Sequence, residues 1–298
     1  MKIAIIGGGS LGLLFSYYLS AKHKVHLFTR TQQQADLINT YGLKMVKTGE
    51  ESAAINVFAA PIHAWQGTED LTIIAVKQYQ LPDLMPLLTA NTAGSLLFLQ
   101  NGYGHIKLLK DLTFFPLFVG SVEHGAVRLN GNTVIHNGEG VTRAAVFQGS
   151  DILLRELSES LASEFQIILE EDYEGMLIKK LVVNSVINPL TAILNVKNGE
   201  LISNPYYKKI FVKLFEECAF VLELHNKEVY FENLLNVCKK TAENHSSMYK
   251  DLENGRKTEI DAILGYLLEE AARKNINAPL IHNYYDCIKG KEHEREGA

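Results

Sequence analysis

The 298-residue chain has only three cysteines, seven prolines and one tryptophan. Cys218, Cys238 and Cys287 show neither metal-ligand nor redox spacing, which leaves free thiols and excludes a disulfide framework. Long hydrophobic runs are also missing. The longest apolar stretches are broken by Asn, Lys or Pro, so none reads as a membrane span. The apolar start runs straight into glycines and is too short for a signal-peptide core. Neither charge dominates: 29 basic residues stand against 34 acidic ones, a net charge of −5. That balance argues against nucleic acid or an anionic membrane as partner, and leaves open a small anionic substrate, which responds to local charge. These absences imply a cytoplasmic globular protein of two ordinary domains, and an apolar content of 47% is enough to build their cores.

What is present is concentrated at the beginning. The apolar run Lys2 to Ile6 leads into Gly7-x-Gly9-x-x-Gly12, and a helix-like run, Leu13 to Ser20, follows. Strand, glycines and helix in this order form the dinucleotide-binding fingerprint. The first glycine allows a tight turn, the second a close backbone approach to a pyrophosphate, and the third close packing of helix on strand. The pyrophosphate would rest on the loop residues Gly7, Gly8, Gly9, Ser10, Leu11 and Gly12, at the positive end of the helix.

Strand and helix patterns then alternate. Strands are expected at Val25–Phe28, Ser52–Ala59 (weaker), Leu71–Val76 and Leu96–Leu99, with helices at Thr31–Thr40 and Pro82–Leu88. Continuous apolar strands between helices imply an α/β fold, a doubly wound parallel sheet of the Rossmann type. From Leu117 to Phe147 the dipeptides Asn130-Gly131 and Asn137-Gly138 suggest antiparallel strands at one edge of that sheet. An amphipathic helix, Ile152–Phe165, and a short strand, Gln166–Leu169, close a first domain of residues 1–169. Residues 170–298 read as an all-α domain. Its helices are expected at Tyr173–Leu194, Ile210–His225, Asn233–Thr241, Glu259–Lys274 and Leu280–Ile288, with a frayed charged tail, Lys289–Ala298. A helical domain of this kind can bury a homodimer face.

Ligands bind beyond the carboxyl ends of parallel strands. An acidic residue about 20 positions past the glycines would select NAD. Here Thr29 and Arg30 end the second strand, and no acid occurs until Asp36. A guanidinium pairs with a 2′-phosphate that a carboxylate would repel, so the expected cofactor is NADP(H). Lys77 ends the Leu71 strand, where it meets a cofactor phosphate or ribose or is an ordinary strand-end lysine. Asn101, in Gln100-Asn101-Gly102-Tyr103-Gly104, is either a ligand donor or part of a turn signal.

A second sharp feature is Lys180, Asn184 and Asn188, spaced i, i+4 and i+8 along one face of an otherwise apolar helix. They either form an interhelical network or line a cleft that holds a polar ligand. Lys179 points about a quarter-turn away. Ser246-Ser247 and Thr258-Glu259-Ile260-Asp261 supply helix caps or site residues.

Together these residues resemble the ketopantoate reductase (2-dehydropantoate 2-reductase) family nearly end to end. The specific markers are Lys180-x-x-x-Asn184-x-x-x-Asn188-Pro189-Leu-Thr-Ala, Asn198-Gly199-Glu200-Leu201, Ser246-Ser247-Met248 and Thr258-Glu259-Ile260-Asp261, joined to Asn101-Gly102-x-Gly104. The resemblance implies a Rossmann domain joined to an all-α domain. It also implies an oxidoreductase that uses NADPH to reduce ketopantoate to pantoate on the route to pantothenate and coenzyme A. In that scheme Lys180 is the general acid and Glu259 holds the substrate hydroxyl and orients Lys180. Asn184, Asn188 and Ser247 bind the substrate's hydroxyl and carboxylate, Asn101 bridges cofactor and substrate, and Arg30 and Lys77 contact NADPH. Gln100 stands where some members carry His, and the spacing to the asparagines selects Lys180 over Lys179. The alternatives are a reductase of another small 2-oxoacid, which a substrate panel separates, and a non-catalytic NADP(H) sensor, which would need neither Lys180 nor Glu259.

Overall fold

A computed structural model describes residues 1–112, 116–161 and 165–296. Twelve strands are described: β1 (Lys2–Ile6), β2 (Lys24–Thr29), β3 (Lys44–Lys47), β4 (Glu50–Glu51), β5 (Phe58–Pro61), β6 (Leu71–Ile74), β7 (Ser95–Phe98), β8 (Leu117–Val122), β9 (Gly125–Arg128), β10 (Thr133–Gly138), β11 (Thr142–Gln148) and β12 (Ile167–Glu170). The helices between and after them are α1 (Ser10–Leu19), α2 (Gln32–Tyr41), α3 (Leu81–Asn91), α4 (Ile106–Leu109), α5 (Ile152–Leu161), α6 (Tyr173–Leu194), α7 (Glu200–Ser203), α8 (Pro205–Val221), α9 (Lys227–Lys240), α10 (Ser247–Glu253), α11 (Tyr266–Lys274) and α12 (Pro279–Glu296).

The chain divides into two compact units. Met1–Gln100 with His105–Met176 forms the first, and Asn101–Gly104 with Leu177–Ala298 the second. A boundary drawn from sequence at 169/170 precedes the division inside α6, because Tyr173 in its first turn packs on Phe147 of β11, ring centroids 5.2 Å apart. Asn101–Gly104 joins the second unit because Gly102 lies against the backbone of Ala262 and the Tyr103 ring packs on Tyr266.

In the first unit an eight-stranded sheet has the order β12-β11-β8-β7-β6-β1-β2-β5. From β5 to β8 all neighbours are parallel, so the chain winds outward in both directions from β1. The β1/β6 pair is the switch point at which such sheets bind ligands. Strands buried on both faces explain why β1, β6 and β7 read as nearly continuous apolar runs. Pro61 is tolerated because β5 is an edge strand.

The region from Leu117 to Phe147 departs from expectation. β8 extends the parallel sheet beside β7, and β11 pairs antiparallel with β8. The hairpin β9–β10, turned at Asn130-Gly131, pairs instead with β3 and β4 in a separate four-stranded sheet. Asn137-Gly138 is no hairpin turn, since β10 and β11 lie in different sheets. The weak strand expected at Ser52–Ala59 is displaced to Phe58–Pro61. Local patterns could not show which sheet a short exposed strand joins. Of the expected helix Ile152–Phe165, α5 is seen, and residues 162–164 lie outside the described residues.

The second unit is helical. Its core contains Leu181, Val182, Val186, Ile187 and Leu190 of α6 packed with Phe211, Leu214 and Phe215 of α8. By length and hydropathy α6 does qualify as a membrane-crossing helix, contrary to the sequence reading, but 61% of its apolar window is buried inside the protein. The expected helix Glu259–Lys274 begins instead as a π-helical turn, Asp261–Gly265, that runs into α11. The expected frayed tail is ordered as α12 through Glu296, with residues 297 and 298 outside the described set. All three cysteines are free, and burial pushes the Cys238 thiol up to about 12.

Candidate active site

In the first unit the glycine loop leaves β1 at the switch point. Gly7 has φ +118°, and a Cβ on it would stand 3.0 Å from Ala75 and Val76, just past the end of β6. A Cβ on Gly12 would lie 1.7 Å from the Gly7 carbonyl oxygen, which no rearrangement of side chains relieves. Gly9 has nothing within 4 Å of its Cβ position and caps α1 without any side-chain hydrogen bond. The loop is therefore tight on its inner side and open at Gly9, with the helix amides left for an anion. These residues fit a dinucleotide pyrophosphate.

The sequence reading missed two supports of this loop. Gln34 Nε2 donates to the carbonyls of Gly8 (2.8 Å) and Gly131 (2.9 Å). Arg128 donates through its backbone N–H to Ser10 Oγ (3.0 Å) and through Nη1 to the Gly8 carbonyl (3.3 Å). Thus the Ser10 hydroxyl holds β9, and half-buried Leu11 sits in the first turn of α1. Nothing in the spacing of Arg128 from the loop could have linked them.

At the end of β2, Thr29 is buried and its hydroxyl donates to the Thr31 carbonyl at 2.9 Å, while Arg30 is exposed. Asp36, the first acid after the glycines, accepts from Gln32 Nε2 at 2.7 Å. Lys77 follows β6, is half-buried, and its backbone N–H donates to Gln80 Oε1. Buried Gln100 uses Nε2 to donate to the carbonyls of Ile74 and Val76, tying the ends of β6 and β7 together. His105 is fully buried, neither ring nitrogen has a hydrogen-bond partner, and burial lowers its pKa to about 4.

In the second unit, α6 carries the polar stripe. Lys180 and Asn184 are half-buried, Asn188 is buried, and Lys179 is exposed, so the stripe runs through Lys180. The Thr191 hydroxyl, one turn on, donates to Ser246 Oγ at 2.7 Å. Ser246 in turn accepts from the Tyr249 N–H and caps α10. Ser246 is therefore the structural serine of the pair, and Ser247 is exposed in the first turn of α10. Asn198-Gly199 serves packing: Asn198 Nδ2 donates to Thr241 Oγ1, and a Cβ on Gly199 would meet Ala242.

Asn101 and Glu259, 158 residues apart, meet directly. Asn101 Nδ2 donates to Glu259 Oε2 at 2.8 Å, and Glu259 is buried. Gly102 makes this approach feasible: it has φ +84°, and a Cβ there would be 2.2 Å from the Ala262 carbonyl oxygen. The second unit thus offers an ammonium, a carboxylate and amide groups, a set able to hold a hydroxylated acid and deliver a proton to an oxygen.

Comparison with known proteins matches residues 3–149 to the family described as ketopantoate reductase PanE/ApbA, and residues 172–292 to its C-terminal domain. The 2-dehydropantoate 2-reductase of Bacillus subtilis (strain 168) is 43% identical over 294 residues, covering 98% of each chain. That of Listeria innocua is 38% identical, covering 99% of this chain and 98% of the relative. Among solved structures, the probable 2-dehydropantoate 2-reductase from Bacillus subtilis superposes with a TM-score of 0.90 at 42% identity, covering 98% of this chain and all of the other.

Proposed function

Because the chain belongs to the ketopantoate reductase family, we propose that it reduces 2-dehydropantoate to pantoate with NADPH, in the cytoplasm, as a step toward pantothenate and coenzyme A. The observation that carries this reading is the stripe on α6: a half-buried lysine followed by two asparagines on a helix otherwise sunk in apolar core. Leaving such groups there is costly unless they serve a ligand or a network.

Gly7–Gly12 would hold the pyrophosphate of a nicotinamide cofactor, whose chemistry when bound would be hydride donation. The chain's own residues do the rest. The Lys180 ammonium donates its proton to the oxygen on which negative charge develops, and stabilises that charge before the proton moves. Glu259, held by Asn101, accepts the substrate hydroxyl and orients Lys180. Asn184, Asn188 and Ser247 would bind the remaining hydroxyl and carboxylate oxygens, with Asn101 adding a substrate contact. Arg30 would hold the 2′-phosphate and Lys77 a phosphate or ribose. The preference for NADPH is supported by the exposed guanidinium at the end of β2 and by the engagement of Asp36 with Gln32. Exposed Tyr206, Phe220 and Val229 on α8 and α9 offer apolar area for a homodimer contact, which light scattering checks.

The test is NADPH consumption with ketopantoate beside other 2-oxoacids. Turnover with a clear preference for ketopantoate is the expected result, since a pocket built around a hydroxyl rejects analogues without one. Preference for another 2-oxoacid would reassign the substrate. Tight NADPH binding with no turnover on any oxoacid would make the chain a sensor.

A further inference from the structure

Glu259 sits on an unusual piece of backbone. Residues 256–258 before it are not helical, and the π-helical turn Asp261–Gly265 begins just after it. A carboxylate there stands at the start of its element and not inside a regular helix. Both flanks of the segment are held instead by α12. Glu292 Oε1 accepts two hydrogen bonds from Thr258, one from its backbone N–H and one from its hydroxyl, each 2.7 Å. Glu292 Oε2 accepts from Lys289 Nζ at 2.9 Å. On the other flank, Asp261 Oδ1 accepts from the Tyr285 hydroxyl at 2.8 Å and pairs with Lys289 Nζ at 3.6 Å. Tyr285, Lys289 and Glu292 lie at i, i+4 and i+7 and share one face of α12.

The hydrogen-bond chain passes across Glu259 itself. Thr258 Oγ1 gives its proton to Glu292 and accepts from the Ile260 N–H at 3.2 Å. The Glu259 carbonyl accepts from the N–H groups of Ala262 and Ile263. The backbone on both sides of Glu259 is thereby fixed, leaving its side chain to meet Asn101. The Glu292 side chain is 9% exposed and Thr258 only 1%. Placing a carboxylate so deep costs solvation, which an apolar residue of like size would avoid. What an apolar residue cannot do is gather both donors of Thr258 at one point. Hydrogen bonding to Glu292 also holds the Lys289 ammonium above its ordinary pKa.

We propose that Glu292 is a positioning residue for the reaction, setting the geometry of Glu259 through Thr258. The proposal rests on the reading of Glu259 as a substrate-binding carboxylate. The experiment is steady-state kinetics of the full chain with NADPH and a panel of 2-oxoacids including ketopantoate, for wild type, Glu292→Met, Glu259→Gln and the double variant, with NADPH affinity from cofactor fluorescence. Glu292→Met, which keeps the length and removes the acceptor, is expected to lower kcat/KM for the oxoacid at least about tenfold, the loss of both hydrogen bonds to Thr258, with NADPH affinity unchanged. In the Glu259→Gln background the same substitution is expected to add no further loss, because the group it orients is already gone. Thr258→Ser, which keeps both donors, is expected to retain wild-type kinetics, and Thr258→Val to fall part of the way. Wild-type kinetics in Glu292→Met would overturn the proposal. So would an equal loss with and without the Glu259 carboxylate, or a parallel loss of NADPH affinity, which marks a general structural defect. A wild type inactive on every oxoacid would overturn the proposed function, and this proposal with it.

Discussion

The two units build their candidate sites by different means. The first uses backbone: three glycines, one at φ +118° and one whose Cβ would strike a carbonyl oxygen, clear space around the start of α1. The second uses side chains: Lys180, Asn184 and Asn188 from one helix, with Asn101 and Glu259 brought from distant segments. A backbone site tolerates no added atom where it is tight, as at Gly12, and asks little of side-chain chemistry. A side-chain site keeps its shape under substitution and loses its chemistry. The difference predicts how each unit fails.

The largest effect is expected at Gly12. Gly12→Ala puts a methyl 1.7 Å from the Gly7 oxygen, so the loop must open. NADPH binding is expected to fall below detection in a fluorescence titration, and the melting temperature to drop. Wild-type affinity would show that backbone clearance does not govern the first unit. Lys180→Ala is the opposite case. It is expected to lower kcat by about 100-fold or more while NADPH affinity and melting temperature hold, since the loss is that of a general acid. An unchanged kcat would remove Lys180 from the chemistry.

Stability against pH distinguishes the units next. His105 belongs to the first, and its folded pKa of about 4 lies below the ordinary 6.5. Between those values the unfolded chain binds a proton that the folded chain does not. Stability is therefore complete above pH 6.5 and declines as pH falls toward 4, by up to about 3 kcal/mol. Trp65, the single tryptophan, is buried in the first unit and reports its unfolding. His105→Leu is expected to flatten this part of the profile in denaturant titrations, and an unaltered slope would assign it elsewhere. The smallest effect is expected at Arg30, where Arg30→Ala weakens NADPH about ten- to hundredfold and leaves NADH nearly untouched. Equal weakening of both cofactors would remove the reason for choosing NADP(H).

Much of the first unit was legible because its signals are local. A β-run, three glycines at fixed spacing and a helix lie within the first twenty residues. The α6 stripe was legible for the same reason, since helical periodicity places residues four apart on one face, and α6 occupies the expected span. Strand partners were less so. β9 and β10 form the hairpin announced by Asn130-Gly131, yet they join β3 and β4 rather than the main sheet. The π-helical turn after Glu259 also escaped notice, since its apolar spacing matches that of an ordinary helix. The charged end of α12 looked like a tail because charge and terminal position are poor guides to contacts elsewhere.

By itself the sequence determined which groups the protein has to work with: the glycine loop, a cation in place of an acid at the end of β2, and a lysine with two asparagines on a buried helix. These are properties of backbone freedom, charge and helical period, which act over a few residues. Tertiary structure alone decided that Asn101 reaches Glu259 across 158 positions, that Thr191 meets Ser246 across 55, and that Glu292 grips Thr258 from 34 residues away. Such contacts follow from how whole elements pack, and no local pattern encodes the packing.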